Sequence, residues 1–158
     1  MSSARLTPRG IAYAHDAAAK TYDDQMRWID ALDSKAGMLM AADGVIVSLL
    51  VTRDSVLATS PNIVAIGTAG SLFISLVFAL LAFSTRRYEV APDLDPLLQQ
   101  MQHLDNDGLR WIALEGLVNA VEVNESKVDT KAQHLFSSAV ALLVAILILA
   151  GRFIYSLV

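Results

Sequence analysis

Residues 63–83 read IVAIGTAGSLFISLVFALLAF and contain no charged side chain over 21 positions. A helix of about 20 apolar residues is long enough to cross the hydrocarbon core of a bilayer. A buried helix hairpin in a soluble bundle is the alternative, but so long an uncharged stretch argues strongly against it. The segment therefore predicts a membrane-spanning helix and an integral membrane protein.

Two further apolar blocks flank this segment in the chain. Residues 36–52 read AGMLMAADGVIVSLLVT, a short block that contains Asp43, and residues 135–158 contain Arg152 as their only charged residue. A short link with turn-forming residues between the first two blocks indicates an antiparallel hairpin. The sequence thus predicts three spans, at about 36–52, 63–83 and 135–158.

Composition supports a membrane protein and excludes several other classes. The 158-residue chain is 54% hydrophobic and 18% charged, whereas soluble domains average about 45–50% apolar and about 25% charged. It has no cysteine, which excludes disulfides and cysteine nucleophiles. We expect no nucleic-acid partner, because no stretch is strongly basic, and no cleaved signal peptide, because the polar N-terminus lacks an apolar core.

Basic residues are distributed unequally between the two sides of the predicted membrane. Five lie before the first span, five lie between the second and third spans, and only Arg53 lies at the hairpin tip. The ten flanking residues are Arg5, Arg9, Lys20, Arg27, Lys35, Arg86, Arg87, Arg110, Lys127 and Lys131. Because basic residues accumulate on the cytoplasmic side, we expect the N-terminus and the middle segment in the cytoplasm and the C-terminus outside.

The polar segments are predicted to be helical. Residues 8–35 have apolar side chains at three- and four-residue steps, which is typical of an amphipathic helix. After a short helix at 97–104, the turn-forming residues 105–108 predict a break, and a long helix begins at Leu109. No proline separates the helices in 8–52 or in 109–158, so both are expected to continue into the membrane.

The predicted fold class is an all-α membrane protein with three transmembrane helices, two of them continuous with long cytoplasmic helices that form a bundle. The sequence predicts that the chain divides into four segments. They are a cytoplasmic N-terminal amphipathic helix at 1–35, a transmembrane hairpin at 36–83, a cytoplasmic helical segment at 84–134 and a third transmembrane helix at 135–158. Small residues recur every four positions in each span, which favours close helix packing and a homo-oligomer. These small-residue stripes are Gly44, Ser48 and Thr52 in the first span, Gly67, Ser71, Ser75 and Ala79 in the second, and Ser137, Ala141 and Ala145 in the third.

Asp43 and Arg152 are the two ionisable residues that we expect inside the membrane. Ionisable side chains in a span are costly and usually functional. In an oligomer, Asp43 side chains could ring a cation pore; alternatively, Asp43 is hydrogen-bonded and packed against a small-residue stripe. At 1.5 Å per residue, Asp43 lies about 10 Å past Ala36, whereas Arg152 lies about 22 Å past Ser137. This difference in depth of about 12 Å argues against a direct pair unless the helices are shifted.

Five basic residues are candidates for binding an anionic ligand. They are Arg27, Lys35, Arg110, Lys127 and Lys131. The alternative is that they form ion pairs with acidic residues such as Asp30 and Asp33. Trp28 and Trp111 could stack on a base, although their positions favour contacts inside the helical bundle.

The sequence has no pattern that predicts catalysis. We find no nucleophile–base constellation, no phosphate-binding glycine loop and no metal-ligand spacing. We therefore expect neither an enzyme nor a metal or cofactor.

The segment WIDALDSKAGMLMAADGVIVSLL at 28–50 resembles the motif at the start of the first span in the Pycsar transmembrane effectors. In that family an Asp-x-Lys-Ala sequence opens the span, with a glycine inside it. The matching residues are Asp33, Lys35, Ala36 and Gly44. The later NESKVDTKAQHL is similar to the family's second motif, before the last span, with matches at Asn124, Lys127, Lys131 and Leu135. The order of helices agrees as well, so the resemblance covers most of the chain.

The resemblance implies a function in antiphage defence. A neighbouring cyclase would make a cyclic pyrimidine mononucleotide, cUMP or cCMP, and the effector would sense it and impair the bacterial inner membrane, leading to growth arrest or cell death. No cyclic-nucleotide-binding domain is recognisable, so sensing would fall to the helical cytoplasmic part, between subunits, with an Arg or Lys at the phosphate. The alternatives are a constitutive oligomeric ion channel or transporter that uses Asp43, and a structural membrane scaffold without a ligand.

Overall fold

A computed structural model describes residues 7–52, 62–84, 88 and 106–155, and this part of the chain contains three α-helices and no strand. Helix α1 comprises Pro8–Thr52, α2 comprises Asn62–Ser84 and α3 comprises Asn106–Tyr155. The predicted all-α class is confirmed for these residues. The predicted helix at 97–104 lies outside the described residues.

Helix α1 begins at a threonine cap followed by proline. The backbone amide of Gly10 donates to Thr7 Oγ1 over 3.2 Å, and the amide of Ile11 donates to the Thr7 carbonyl over 2.9 Å. Pro8 occupies the first helical position, where its missing amide hydrogen costs no bond and its fixed φ suits the helix. The helix then runs for 45 residues to Thr52.

Helix α3 begins at Asn106, three residues earlier than the predicted start at Leu109. The turn-forming residues at 106–108 were read as a break, but in the structure they form the first turn of the helix. Asp107 lies in that turn and Arg152 in the last one, which places each charge at the end of the helix dipole that it stabilises.

The two long helices pass the predicted membrane boundaries without interruption. Residues 35–36 lie within α1 and residues 134–135 lie within α3, and both pairs are helical. The continuity arises because α1 has no proline after Pro8 and α3 has none, and because no glycine in the described residues has a positive φ. Helix α2 agrees with the predicted second span to within one residue at either end.

Two helices are long and apolar enough to cross a membrane, namely α2 over Ile63–Ser84 and the apolar part of α3. Helix α1 does not meet the same criterion. Its apolar part is only the 17 residues of 36–52, and this short stretch includes Asp43.

The described residues fall into two compact units. The first unit takes its residues from Met1–Asp30 and Arg87–Val128, and its buried side chains include Ile29, Leu117 and Ala120. Both α1 and α3 therefore contribute buried apolar side chains to it. The predicted division into four segments remains a prediction.

The second unit takes its residues from Ala31–Arg86 and Asp129–Val158 and contains parts of all three helices. Leu72, Leu142 and Ala145 are its buried core. Four side chains of α1 pack against that core, and they are Leu39, Ala42, Ile46 and Leu50. All three helices therefore contribute to one apolar core.

The outer surface of the second unit is apolar as well. Twenty of the 24 exposed large hydrophobic side chains in the described residues belong to it. They occur on every helix; Met38, Phe73 and Phe136 are each exposed by more than two thirds. Soluble proteins rarely expose so much apolar surface on one compact unit.

Candidate functional site

An ion pair between α1 and α3 joins the two segments that resemble Pycsar motifs. Lys131 Nζ donates to Asp33 Oδ1 over 2.6 Å. The Lys131 side chain is fully buried, whereas 34% of the Asp33 side chain is exposed. Ala36, one turn beyond Asp33, is also fully buried, so that the two helices approach closely next to the pair.

The burial of Lys131 means that its positive charge needs a partner inside the protein. A buried ammonium group is very unfavourable unless a partner compensates its charge. Asp33 supplies the compensating charge, and because its side chain is partly exposed it keeps part of its hydration. Of the five candidate ligand-binding cations, Lys131 is thus already bound to a carboxylate.

Asp43 lies at the centre of a second polar cluster, which contains one residue from each helix. Ser75 Oγ donates to Asp43 Oδ2 over 2.8 Å, and the hydroxyls of Ser75 and Ser138 lie 3.2 Å apart. All three side chains are buried. Asp43 Oδ1 has no hydrogen-bond partner among the described residues. The side chain of Asp43 thus points into the core of its own subunit.

The contact with Ser75 shows which part of α2 lies beside Asp43 of α1. Ser75 lies 12 residues after Ile63 and 9 before Ser84, which is about 18 Å and 14 Å at 1.5 Å per residue. Asp43 is therefore level with the middle of α2. Arg152 is 14 residues beyond Ser138 on α3, or about 21 Å, so the structure does not bring Arg152 and Asp43 together.

The small residues of the predicted stripes have different environments in α1 and α2. Ser75 and Ala79 of α2 are fully buried, and a methyl group added at Gly67 would lie 3.7 Å from Ile148 Cδ1. Gly44 and Ser48 of α1 are exposed instead. The α2 stripe therefore packs within the subunit, while the α1 stripe lies on its surface.

A groove in the first unit is lined by residues of both α1 and α3. It has a volume of about 890 Å³, and its α1 wall consists of Ala14, Ala17 and Ala18. The α3 wall includes the aromatic ring of Trp111 and the carboxylates of Glu115 and Glu122. The described lining contains no basic residue, so an anion in the groove would need a cation from outside the lining.

Both tryptophans are exposed, which contradicts the expectation that they pack inside a helical bundle. Trp28 is 64% exposed and Trp111 is 48% exposed. The small side chains of the α1 wall are the physical reason for Trp111, because three alanines leave an open groove beside the indole ring. Trp28 faces outward because Ile29 takes the buried position on that turn.

The other candidate cations are more accessible than Lys131. Arg27, Arg110 and Lys35 are exposed, and Lys127 is half-buried. Arg27 and Arg110 lie in the first unit, whereas Lys35 lies in the second. Asn124 of the second motif is fully buried, and Gly44 of the first motif is exposed.

Three contacting residues were not identified from sequence. Ser75 was read only as part of a small-residue stripe, and Ser138 lies next to the serine that was assigned to the α3 stripe. Gln25 donates from Nε2 to the carbonyl oxygen of Val121 over 3.1 Å. Polar residues on otherwise apolar helix faces were the available indication, but their partners depend on how the helices pack.

The described residues thus form an all-helical protein with two helices that are long and apolar enough to cross a membrane. The profile of the Pycsar effector protein domain matches residues 17–108, which is more than half of the chain. The chain belongs to this family. The match includes Asp33, Lys35, Ala36 and Gly44. The second motif, at 124–135, lies beyond the matched residues.

Family membership indicates an effector of antiphage defence, and the apolar helices fit a membrane location. No match to the chain was found among curated proteins or among solved structures.

Proposed function

We propose that this protein is a membrane effector that binds a cyclic pyrimidine mononucleotide and then impairs the inner membrane of an infected bacterium. The observation that carries the proposal is the membership of the Pycsar effector family, combined with the apolar surface of the second unit. The long helices α1 and α3 each contribute residues to both units. A ligand that altered these helices in the first unit would act on the same helices that enter the bilayer.

The proposal includes three membrane spans, with the apolar part of α1 as the first. Met38, Val45 and Leu49 of α1 are each more than half exposed. The described positions 36–50 contain no ionisable residue except the buried Asp43. Because Asp43 bonds to the middle of α2, a bilayer around α2 also surrounds this part of α1. The exposed apolar side chains of α1 then contact lipid or another subunit.

Two basic residues delimit the membrane part of α3 in this proposal. Lys131 and Arg152 are 21 residues apart, or about 32 Å along a helix. A bilayer core is about 30 Å thick. We therefore assign the ion pair of Lys131 and Asp33 to the cytoplasmic boundary and Arg152 to the outer boundary, with the N-terminus in the cytoplasm.

The groove of the first unit is our candidate for the nucleotide site. The exposed indole of Trp111 offers a stacking surface for a pyrimidine base. The carboxylates of Glu115 and Glu122 offer acceptors for a ribose hydroxyl and for base N–H groups. The cyclic phosphate requires a cation, and Arg110, exposed and next to Trp111 in sequence, is the residue that we assign to it.

Binding is tested on the full chain in detergent with cUMP and cCMP. Trp28→Phe leaves Trp111 as the only tryptophan, so its fluorescence should change on binding. Arg110→Gln should weaken binding about tenfold or more, since a charge-assisted hydrogen bond contributes about 1.5–3 kcal/mol. Lys20→Gln is the matched control, because Lys20 is an exposed cation of the same unit but, unlike Arg110, is not next to a lining residue in sequence. Equal loss in both variants, or no binding by the parent protein, would reject the site.

A constitutive channel or transporter is the competing proposal, and the orientation of Asp43 bears on it. The carboxylate contacts Ser75 inside the subunit, which favours a packing role over a ring of carboxylates around a pore. In a constitutive channel, Asp43→Asn should abolish ion flux measured without nucleotide. In the ligand-gated effector, there is no such flux to abolish, and nucleotide-dependent leakage persists in the variant.

The proposal includes a homo-oligomer in the lipid bilayer and no catalytic activity, cofactor or nucleic-acid partner. A bundle of several subunits supplies additional contacts for Gly44 and Ser48, the exposed part of the α1 stripe, since small residues allow helices to approach closely in lipid. A structural scaffold without a ligand would have the same assembly but would bind no nucleotide.

A further inference from the structure

The four-residue sequence Asp-Ser-Lys-Ala at 33–36 is echoed by Asp-Thr-Lys-Ala at 129–132. Two acids and two bases therefore lie close to the proposed cytoplasmic boundary. One acid and one base pair within the subunit, because Lys131 donates to Asp33. Lys35 and Asp129 are both exposed, and no ion pair within the described residues includes either of them. The two tetrapeptides thus leave one charge of each sign exposed, Lys35 and Asp129.

An apolar ridge separates these two charges. Phe136 is 72% exposed and borders two shallow grooves. Lys35 and Met38 line the groove on one side, which has a volume of about 420 Å³. Asp129 lines the other groove, of about 470 Å³. The ring of Phe136 therefore lies between a groove lined by Lys35 and a groove lined by Asp129.

We propose that this face, defined by Lys35, Asp129 and Phe136, is a two-fold interface with a second copy of the chain. In an isologous contact both subunits use the same patch, so that a pairing between two different residues occurs twice, once in each direction. Lys35 would bind Asp129 of the partner subunit, and the partner's Lys35 would bind Asp129. The two Phe136 ridges would pack between these pairs, with the axis along the membrane normal because both copies have the same topology.

Charge distinguishes a second copy from lipid as the occupant of this face. Anionic headgroups of the cytoplasmic leaflet attract a lysine but repel an aspartate. A surface that offers one of each is complementary to itself after a two-fold rotation. The exposed Met38 and Phe136 lie within two turns of these charges, where packing against protein can replace packing against lipid.

The interface rests on the proposed membrane location of the second unit but not on nucleotide binding, so the two can fail separately. The chain has no cysteine, and any thiol cross-link must therefore form at introduced positions. Chains with Lys35→Cys and chains with Asp129→Cys, each with a different tag, are co-expressed and treated in membranes with a short bifunctional maleimide. The product can only be intermolecular because each chain has one thiol.

The expected result is a cross-linked heterodimer that carries both tags. Ser34→Cys paired with Asp129→Cys is the matched control, because Ser34 is also exposed but faces a different direction, about 100° around the helix. Equal cross-linking in the control pair, or no cross-linking in either, would overturn the interface. A second test needs no thiol. Lys35→Glu and Asp129→Lys should each lower the dimer fraction several-fold, and combining them in one chain should restore it.

Failure of this interface would leave the proposed function intact. Dye leakage triggered by nucleotide is measured on the cysteine-free parent protein and does not depend on which face joins the subunits. Conversely, cross-linking of Lys35→Cys with Asp129→Cys in a protein that neither binds nucleotide nor leaks would support the interface and reject the effector proposal.

Discussion

At the scale of single residues, the decisive interaction is the pairing of a fully buried lysine with a partly exposed aspartate. Lys131 has no exposed surface, whereas a third of the Asp33 side chain is exposed. Such an arrangement contributes little stability when compared with an apolar pair of similar volume, but removing one partner is costly. The pair therefore specifies how α1 and α3 align more than it strengthens their association.

Asp33→Ala should destabilise the protein by about 3–5 kcal/mol, because it removes the carboxylate that accepts from the buried ammonium group of Lys131. Asp33→Leu combined with Lys131→Met should recover most of that loss, since it removes both charges. Unfolding in mixed micelles at increasing denaturing detergent measures the difference. Asp30→Ala, three residues earlier and exposed, is the control and should stay within about 0.5 kcal/mol. A double variant as unstable as Asp33→Ala would contradict the explanation.

At the scale of helices, two glycines of α2 differ in what a larger side chain would meet. A methyl group at Gly67 would lie 3.7 Å from Ile148 Cδ1, whereas nothing lies within 4 Å of one at Gly70. Gly67→Leu should therefore overpack the contact and cost about 1–3 kcal/mol. Gly70→Leu, one turn away on the exposed side of α2, should be neutral or stabilising because glycine is a poor helix former. Equal effects at both positions would show that α2 and α3 do not pack in this way.

The helices were predictable from sequence because hydropathy, proline positions and helix caps are local properties. The uncharged stretch at 63–83 identified α2, and the absence of proline identified the continuity of α1 and α3. The start of α3 was predicted three residues late, since Asn-Asp-Gly favours turns and helix starts alike.

The contacts between helices were predictable only as classes. An ion pair for Lys131 was among several possible pairings of acids and bases, and hydrogen bonding of Asp43 was one of two alternatives. The identities of Asp33 and Ser75 as partners depend on rotation of each helix about its axis, which sequence periodicity does not determine to the nearest residue. The tryptophan prediction was wrong because helical spacing does not reveal that alanines stand opposite Trp111.

At the scale of the whole molecule, the number of spans decides on which side of the membrane the chain ends. Three spans place the N- and C-termini on opposite sides, whereas α2 and α3 alone would place them on the same side. Alkaline phosphatase fused after Tyr155 should be active, because that enzyme folds only outside the cytoplasm. A fluorescent protein fused at the same position should be dark, and one fused to the N-terminus should be bright. An inactive alkaline phosphatase fusion together with a bright fluorescent fusion after Tyr155 would mean two spans and would exclude α1 from the bilayer.

The central claim concerns the coupling of a soluble nucleotide to membrane integrity. It is tested most directly by dye release from vesicles that contain the full chain. We predict release after addition of cUMP or cCMP and none with cAMP or linear UMP, and Arg110→Gln should shift the response to higher nucleotide concentration. Vesicles that stay sealed with both cyclic pyrimidine nucleotides, or that leak equally without any nucleotide, would contradict the account.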